Sequence, residues 1–243
     1  MMKRNQSGFT LIEIAIVLVI IGLLLGGVLK GQELINSAKV KNLATDFKNI
    51  PVYIYGYQDK FRALPGDDIA VANHLGATTC VAPCAAGDGN GVLGNKSTTD
   101  VWTSTTATDE TQQFWIHVRL AGLAAGPTSG VTDYRPTNSV GNVIGIQSGT
   151  NCTAAATPAA SCTANFVTPI KDTNSNAIRG SYVICSTGIL GKFVKQMDIQ
   201  MDDGETNKGS MLATPTASYT MAATSTATAD IDDAGSYTVC MGI

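Results

Sequence analysis

An apolar run from Gly8 to Leu29, GFTLIEIAIVLVIIGLLLGGVL, opens the chain and carries a single charge, Glu13. Its length matches the roughly 20 apolar residues that a helix needs to cross a bilayer. Ahead of it stands MMKRNQS, short and made basic by Lys3 and Arg4. By the positive-inside rule that end stays in the cytoplasm, and the chain after Lys30 lies outside. A secretory signal peptide has a shorter apolar core followed by a small-residue cleavage site. Here the run passes through Gly26, Gly27, Lys30 and Gly31 into KGQELINSAKVKNLATDFKNI without such a site. In that continuation Val40, Leu43, Ala44, Phe47 and Ile50 recur at the spacing of one helical face. The spacing predicts one helix that crosses a membrane and runs on for several turns, roughly 60 Å from Phe9 to Asn49 at 1.5 Å per residue.

Glu13 constrains function. A carboxylate inside a membrane helix costs on the order of 2.5–3.5 kcal/mol on insertion scales, and such groups are usually paired and functional. One reading places Glu13 close enough to the cytoplasmic surface to reach water; the other requires a partner charge in the same layer. Gly8-Phe9-Thr10-Leu11-Ile12-Glu13, after a short basic leader and opening an apolar helix, resembles the class III signal of type IV prepilins and type II secretion pseudopilins. The resemblance implies that a prepilin peptidase cuts after Gly8 and that Phe9 becomes an N-methylated N-terminus. It also implies that Glu13 pairs with the N-terminal amine of a neighbouring subunit, so that Phe9 and Glu13 are the assembly residues. The implied partners are further copies of the chain or other pilins, the peptidase and an inner-membrane assembly platform. The implied location is the inner membrane, single-pass with a cytoplasmic N-terminus, and after processing a periplasmic or extracellular filament.

The expected organisation is a cleaved leader (1–8), a transmembrane and polymerisation helix (9–29), an exported continuation kinked or broken near Pro51 (30–63) and a globular head (64–243). Gly22 and Gly26 form a G-x-x-x-G that suits close helix packing. Glycine also weakens a helix by about 1 kcal/mol relative to alanine, and Gly22, Gly26, Gly27 and Gly31 together favour a locally loosened helix. Pro51 removes a helical hydrogen bond. Leu64-Pro65-Gly66-Asp67 is a stop, and this ALPGD segment resembles the entry to the head in pilin-like proteins.

In the head, DETQQFWIHVRLAGLAAG (109–126) reads as an amphipathic helix with Phe114, Trp115, Val118 and Ala121 on one stripe and His117 and Arg119 on other faces. The segment resembles an E…W…AGL stretch of large pilin-like heads. Residues 141–147, 179–186 and 237–241 read as strands, and residues 188–201 as a short helix. The fold class is therefore α+β and pilin-like: a long N-terminal helix packed on an antiparallel sheet, with the Val40/Leu43/Phe47 stripe buried between them. Three tracts rich in Thr, Ala and Ser (97–108, 150–163 and 212–229) read as exposed loops or edge strands.

Six cysteines lie beyond the apolar run. An even number in an oxidising compartment points to disulfides, with fifteen connectivities open. Cys80–Cys84 and Cys152–Cys162 close short loops, and Cys185–Cys240 ties the C-terminal strand to an inner one, so these pairs are favoured. A zinc site at CVAPC is disfavoured, because no second close pair or suitably spaced histidine accompanies it. Asp88 and Asn90 in GDGNG have the D-x-N-G opening of a calcium loop without its distal glutamate. Asp202 and Asp203 in DIQMDDG, which resembles a D-x-K-x-DDG segment of the same group, are the other calcium candidates; a plain turn is the favoured reading of both runs. No cofactor is otherwise expected.

The sequence lacks H-E-x-x-H, G-x-S-x-G and a complete P-loop, since Gly191-Lys192 is followed by Phe193. An enzyme is not expected. The acidic balance, net charge −3 before the basic leader is removed, disfavours nucleic acid as the main partner. The expected function is a structural subunit of a type IV pilus-like filament, with a minor pilin or secretion pseudopilin as the alternative. A membrane-anchored binding protein or adhesin that never polymerises is the reading from another class.

Overall fold

The computed structural model describes residues 11–94, 101–149 and 168–243. They fall into two compact units, Met1–Lys39 and Val40–Ile243. Helix α1 (Leu11–Phe61) runs through both and contains Pro51. The sequence predicts a kink or break here; no break occurs, although Pro51 leaves the Phe47 carbonyl without its usual donor. Packing holds the helix together at this point. Ile50, Ile54 and Tyr57 extend the stripe of Val40, Leu43 and Phe47, and all six are buried. The helix ends where Arg62 turns left-handed, at φ 56°.

The central sheet has strands β1 (Ile144–Ser148), β3 (Tyr182–Leu190), β4 (Met211–Pro215) and β6 (Ser236–Gly242) in the order β1-β3-β6-β4, antiparallel throughout. A short parallel pair, β2 (Ile170–Lys171) with β5 (Ala223–Thr224), stands apart from it. Strand alternation separates two apolar faces. Ile144, Ile146, Ile184, Met211, Ala213 and Val239 join the α1 stripe in the main core. Val183, Cys185, Leu212 and Cys240 face a second cluster with Trp102, Ile170 and Ile178. The sheet is thus covered on both sides. Helix α4 (Gly191–Met201) begins later than the sequence suggests, because Ile189 and Leu190 still pair with Tyr237 and Ser236.

Two tracts expected to be exposed loops or edge strands contribute side chains to the core, the second of them from an edge strand, β4. Trp102 is buried, and its indole N–H donates to Tyr219 Oη at 2.7 Å. Leu212 and Ala213 are buried within the edge strand β4. The tract 150–163, with Cys152 and Cys162, lies outside the described residues.

Helix α2 (Val71–Leu75) is a single turn, and α3 (Glu110–Leu120) departs most from its expected form. Every residue from Glu110 to Arg119 is buried, polar ones included. Phe114 and Trp115 stack edge-to-face within the core, while the polar faces receive loops. Gln112 Oε1 accepts the Tyr134 N–H at 2.7 Å, and Gln113 takes the Ala85 N–H and donates to Pro83 O. His117 is fully buried and hydrogen-bonded at both ring nitrogens. Its Nδ1 accepts the Gly66 N–H at 2.9 Å, so Nε2 carries the proton and donates to Ala85 O at 3.0 Å. Gly66 is required there: at φ 93° a Cβ would come within 2.6 Å of the Glu110 carbonyl.

Candidate functional site

The first stretch of α1 is apolar and exposed. Leu11 is 94% exposed and Leu23 73%, and the most apolar 18-residue window has a mean hydropathy of 2.8 with none of it buried. The helix is long and apolar enough to cross a membrane. Glu13 sits in its first turn, exposed, with Lys30 and Glu33 paired at 2.6 Å beyond the apolar run. Gly22, Gly26, Gly27 and Gly31 lie in regular helix, so the loosening expected there is absent; a Cβ on any of them would meet nothing within 4 Å. Gly8 and Phe9 lie outside the described residues.

Residues 3–29 match the family model of the prokaryotic N-terminal methylation motif. The chain carries a class III prepilin signal. Comparison with curated proteins and with solved structures gives no match. The prepilin signal and the α+β head of long helix and antiparallel sheet, with two disulfides among the described residues, make the chain pilin-like. Cys80 is bonded to Cys84, and Cys185 to Cys240, the latter pair directly opposite each other on β3 and β6.

Two groups of carboxylates in the pilin-like head coincide with the calcium candidates. The first joins Asp88 to Asp67 and Glu110, two residues that motif reading passes over. Asp67 is the hub of the GDGNG loop: Oδ1 accepts the Gly89 and Asn90 N–H groups at 2.7 and 3.1 Å, and Oδ2 accepts that of Gly91 at 2.7 Å. Glu110 accepts the Asp88 N–H on Oε1 and the Gly94 N–H on Oε2, at 3.0 and 3.1 Å. Burial raises the Asp67 carboxyl above its usual range despite the three amides that favour its charge. Asn90 turns back on Asp88, donating from Nδ2 to Oδ2 at 2.9 Å. These carboxylates are engaged by backbone amides and shape the loop.

The second group joins Asp198, in the last turns of α4, to Asp202 and Asp203. Asp202 Oδ2 accepts the N–H groups of Ser210 and Met211 at 2.6 and 2.8 Å, anchoring the start of β4. Gly209, at φ 72°, lets the chain pass so close that a Cβ would lie 2.2 Å from that oxygen. Asp203 Oδ1 accepts the Glu205 N–H at 2.8 Å. Asp198 is fully buried, and burial, then Asp202 and Asp203, push its carboxyl up to about 7. Its i, i+4 spacing to Asp202 is the sequence signal that would have revealed it.

A third charged contact fastens the loop after α3. Arg135 Nη2 donates to Asp133 Oδ2 at 2.7 Å and Arg135 Nε to Oδ1 at 3.0 Å, while Gln112 Nε2 reaches Asp133 Oδ1 at 3.1 Å. Burial alone would raise this carboxyl; the Arg135 guanidinium, the Arg135 N–H and Gln112 outweigh it and hold it below the usual range. A depressed carboxylate stabilises the fold above its unfolded pKa, about 4, and that contribution disappears as pH falls through the lower folded value. Thermal melts between about pH 2 and pH 5 are expected to show a steep acid limb in the wild type and a shallower one in Asp133→Asn. Parallel limbs would remove Asp133 from the acid response.

Proposed function

We propose that this chain is a structural, non-enzymatic subunit of a type IV pilus-like filament, cut by a prepilin peptidase after Gly8 and assembled through its N-terminal helix. The observation that carries the reading is the prepilin signal lying on a helix whose apolar residues are exposed from Leu11 to Leu29. Such a surface must be covered by lipid or by other helices. Glu13 gives the choice a register. Paired with the amine that cleavage creates on Phe9 of a neighbouring subunit, it relieves two buried charges in one contact. Before assembly the subunit is stored in the inner membrane and engages an assembly platform there; afterwards the head is displayed outside.

The test is intact mass and N-terminal sequencing of protein from sheared surface filaments and, separately, from membranes. A chain beginning at methylated Phe9 in the sheared fraction is expected. A Met1 chain confined to membranes would overturn the reading and leave an anchored protein that does not polymerise. Recovery of the processed chain only within a secretion complex would identify a pseudopilin.

A further inference from the structure

At the C-terminal end of α4, one carboxylate oxygen from each of Asp198, Asp202 and Asp203 lies within 4.8 Å of the others. Asp202 and Asp203 have evident local work, since each accepts backbone N–H groups of the loop that follows. Asp198 does not. It is fully buried, and neither of its oxygens has a hydrogen-bond donor; the Gly204 N–H steadies its charge without reaching bonding geometry. Lys208, in the same loop, lies beside Glu205 at 4.0 Å. The loop also buries a third oxygen without a donor, Asn207 Oδ1. A buried carboxylate facing two others is costly unless a positive charge joins it. The carbonyl end of an 11-residue helix adds further negative potential at this point.

We propose that Asp198, Asp202 and Asp203 bind a divalent cation of the calcium type, clamping the end of α4 to the loop that leads into β4. The donors are all hard oxygens set in an irregular loop. Calcium accepts six to eight such ligands in flexible geometry, whereas magnesium demands a near-ideal octahedron and zinc favours nitrogen and sulfur. Exposed Asp203 supplies the way in, and buried Asp198 supplies a carboxylate whose two oxygens no donor among the described residues satisfies.

The test uses the full-length protein in detergent, stripped with chelator and titrated with calcium chloride alone, with calorimetry and thermal unfolding as readouts. Saturable binding of one ion is expected, with a dissociation constant of about 10⁻⁴ to 10⁻³ M, the range of extracellular modules, and a matching rise in melting temperature. Asp198→Asn is expected to weaken binding at least about tenfold, through loss of one ligand charge, and yet to raise the melting temperature of the cation-free protein by removing the buried charge. Asp203→Asn, at an exposed position and with its amide oxygen still able to accept the Glu205 N–H, is expected to fold and to weaken binding. It decides the matter if Asp198→Asn fails to fold. The proposal is overturned if the wild type shows neither heat nor melting shift up to about 10 mM calcium, or if binding survives unaltered in these variants.

Discussion

Glu13→Ala is expected to leave the protein in the membrane at its normal level while filaments all but disappear from the sheared fraction. The substitution removes a cost of about 2.5–3.5 kcal/mol from the helix itself, so insertion into lipid is unimpaired or improved. What it takes away belongs to the assembled state. There the Phe9 amine of one subunit would lie in an apolar layer without its counter-charge, and breaking a buried pair on one side costs about 3–5 kcal/mol. Spread over every subunit added, that is more than about a hundredfold in the equilibrium for elongation. Immunoblots of sheared and membrane fractions measure both quantities together. Filaments at wild-type yield would mean that Glu13 has no assembly role, and the anchored, non-polymerising protein would become the better reading.

The largest effect within the head is expected at Asp67. Asp67→Ala leaves the N–H groups of Gly89, Asn90 and Gly91 without their acceptor and opens space in a site where Asp67 is nearly fully buried. Hydrogen bonds to a charged group contribute about 1.5–3 kcal/mol each. Partial recovery by water brings the expected loss to roughly 3 kcal/mol, or a fall of about 6–12 °C for a domain of this size. Asp67→Asn keeps one acceptor oxygen and should fall between the two. Thermal denaturation measures the loss, and limited proteolysis localises it, because the released GDGNG loop becomes the preferred site of cutting. A melting temperature unchanged in Asp67→Ala would show that the loop is held by Glu110 alone.

These two residues also mark the limits of what the sequence discloses. Glu13 is legible because a lone charge in an apolar helix stands out without any tertiary information. The same is true of the sheet strands, where alternation and turn residues act locally; the structure moves their ends by a few residues because partners, not propensity, decide where pairing stops. Asp67 and Glu110 stay hidden because their acceptors' donors are 16 to 24 residues away in loops. Helix α3 misleads for a related reason. Periodicity assumes that polar side chains seek water, yet the stretches flanking α3 contain long runs without regular structure, and their amides and carbonyls need partners inside the protein. Gln112, Gln113 and His117 supply them, so a helix with a mixed surface is buried all round. Asp198 is hidden among the polar residues of α4 by the same assumption, although α4 is the helix whose apolar residues are most clearly segregated from its polar ones.

The order β1-β3-β6-β4 carries a consequence for timing. The strand made last, β6, occupies an inner place between two strands synthesised before it. Until it arrives, β3 and β4 have no shared neighbour and both apolar faces of the sheet are incomplete. Cys185 meanwhile waits as a thiol for Cys240, 55 residues later, whereas Cys80 and Cys84 can close as soon as four further residues emerge. A chain threaded across a membrane from its anchored end would therefore secure the small loop first and lock the sheet only once β6 has emerged.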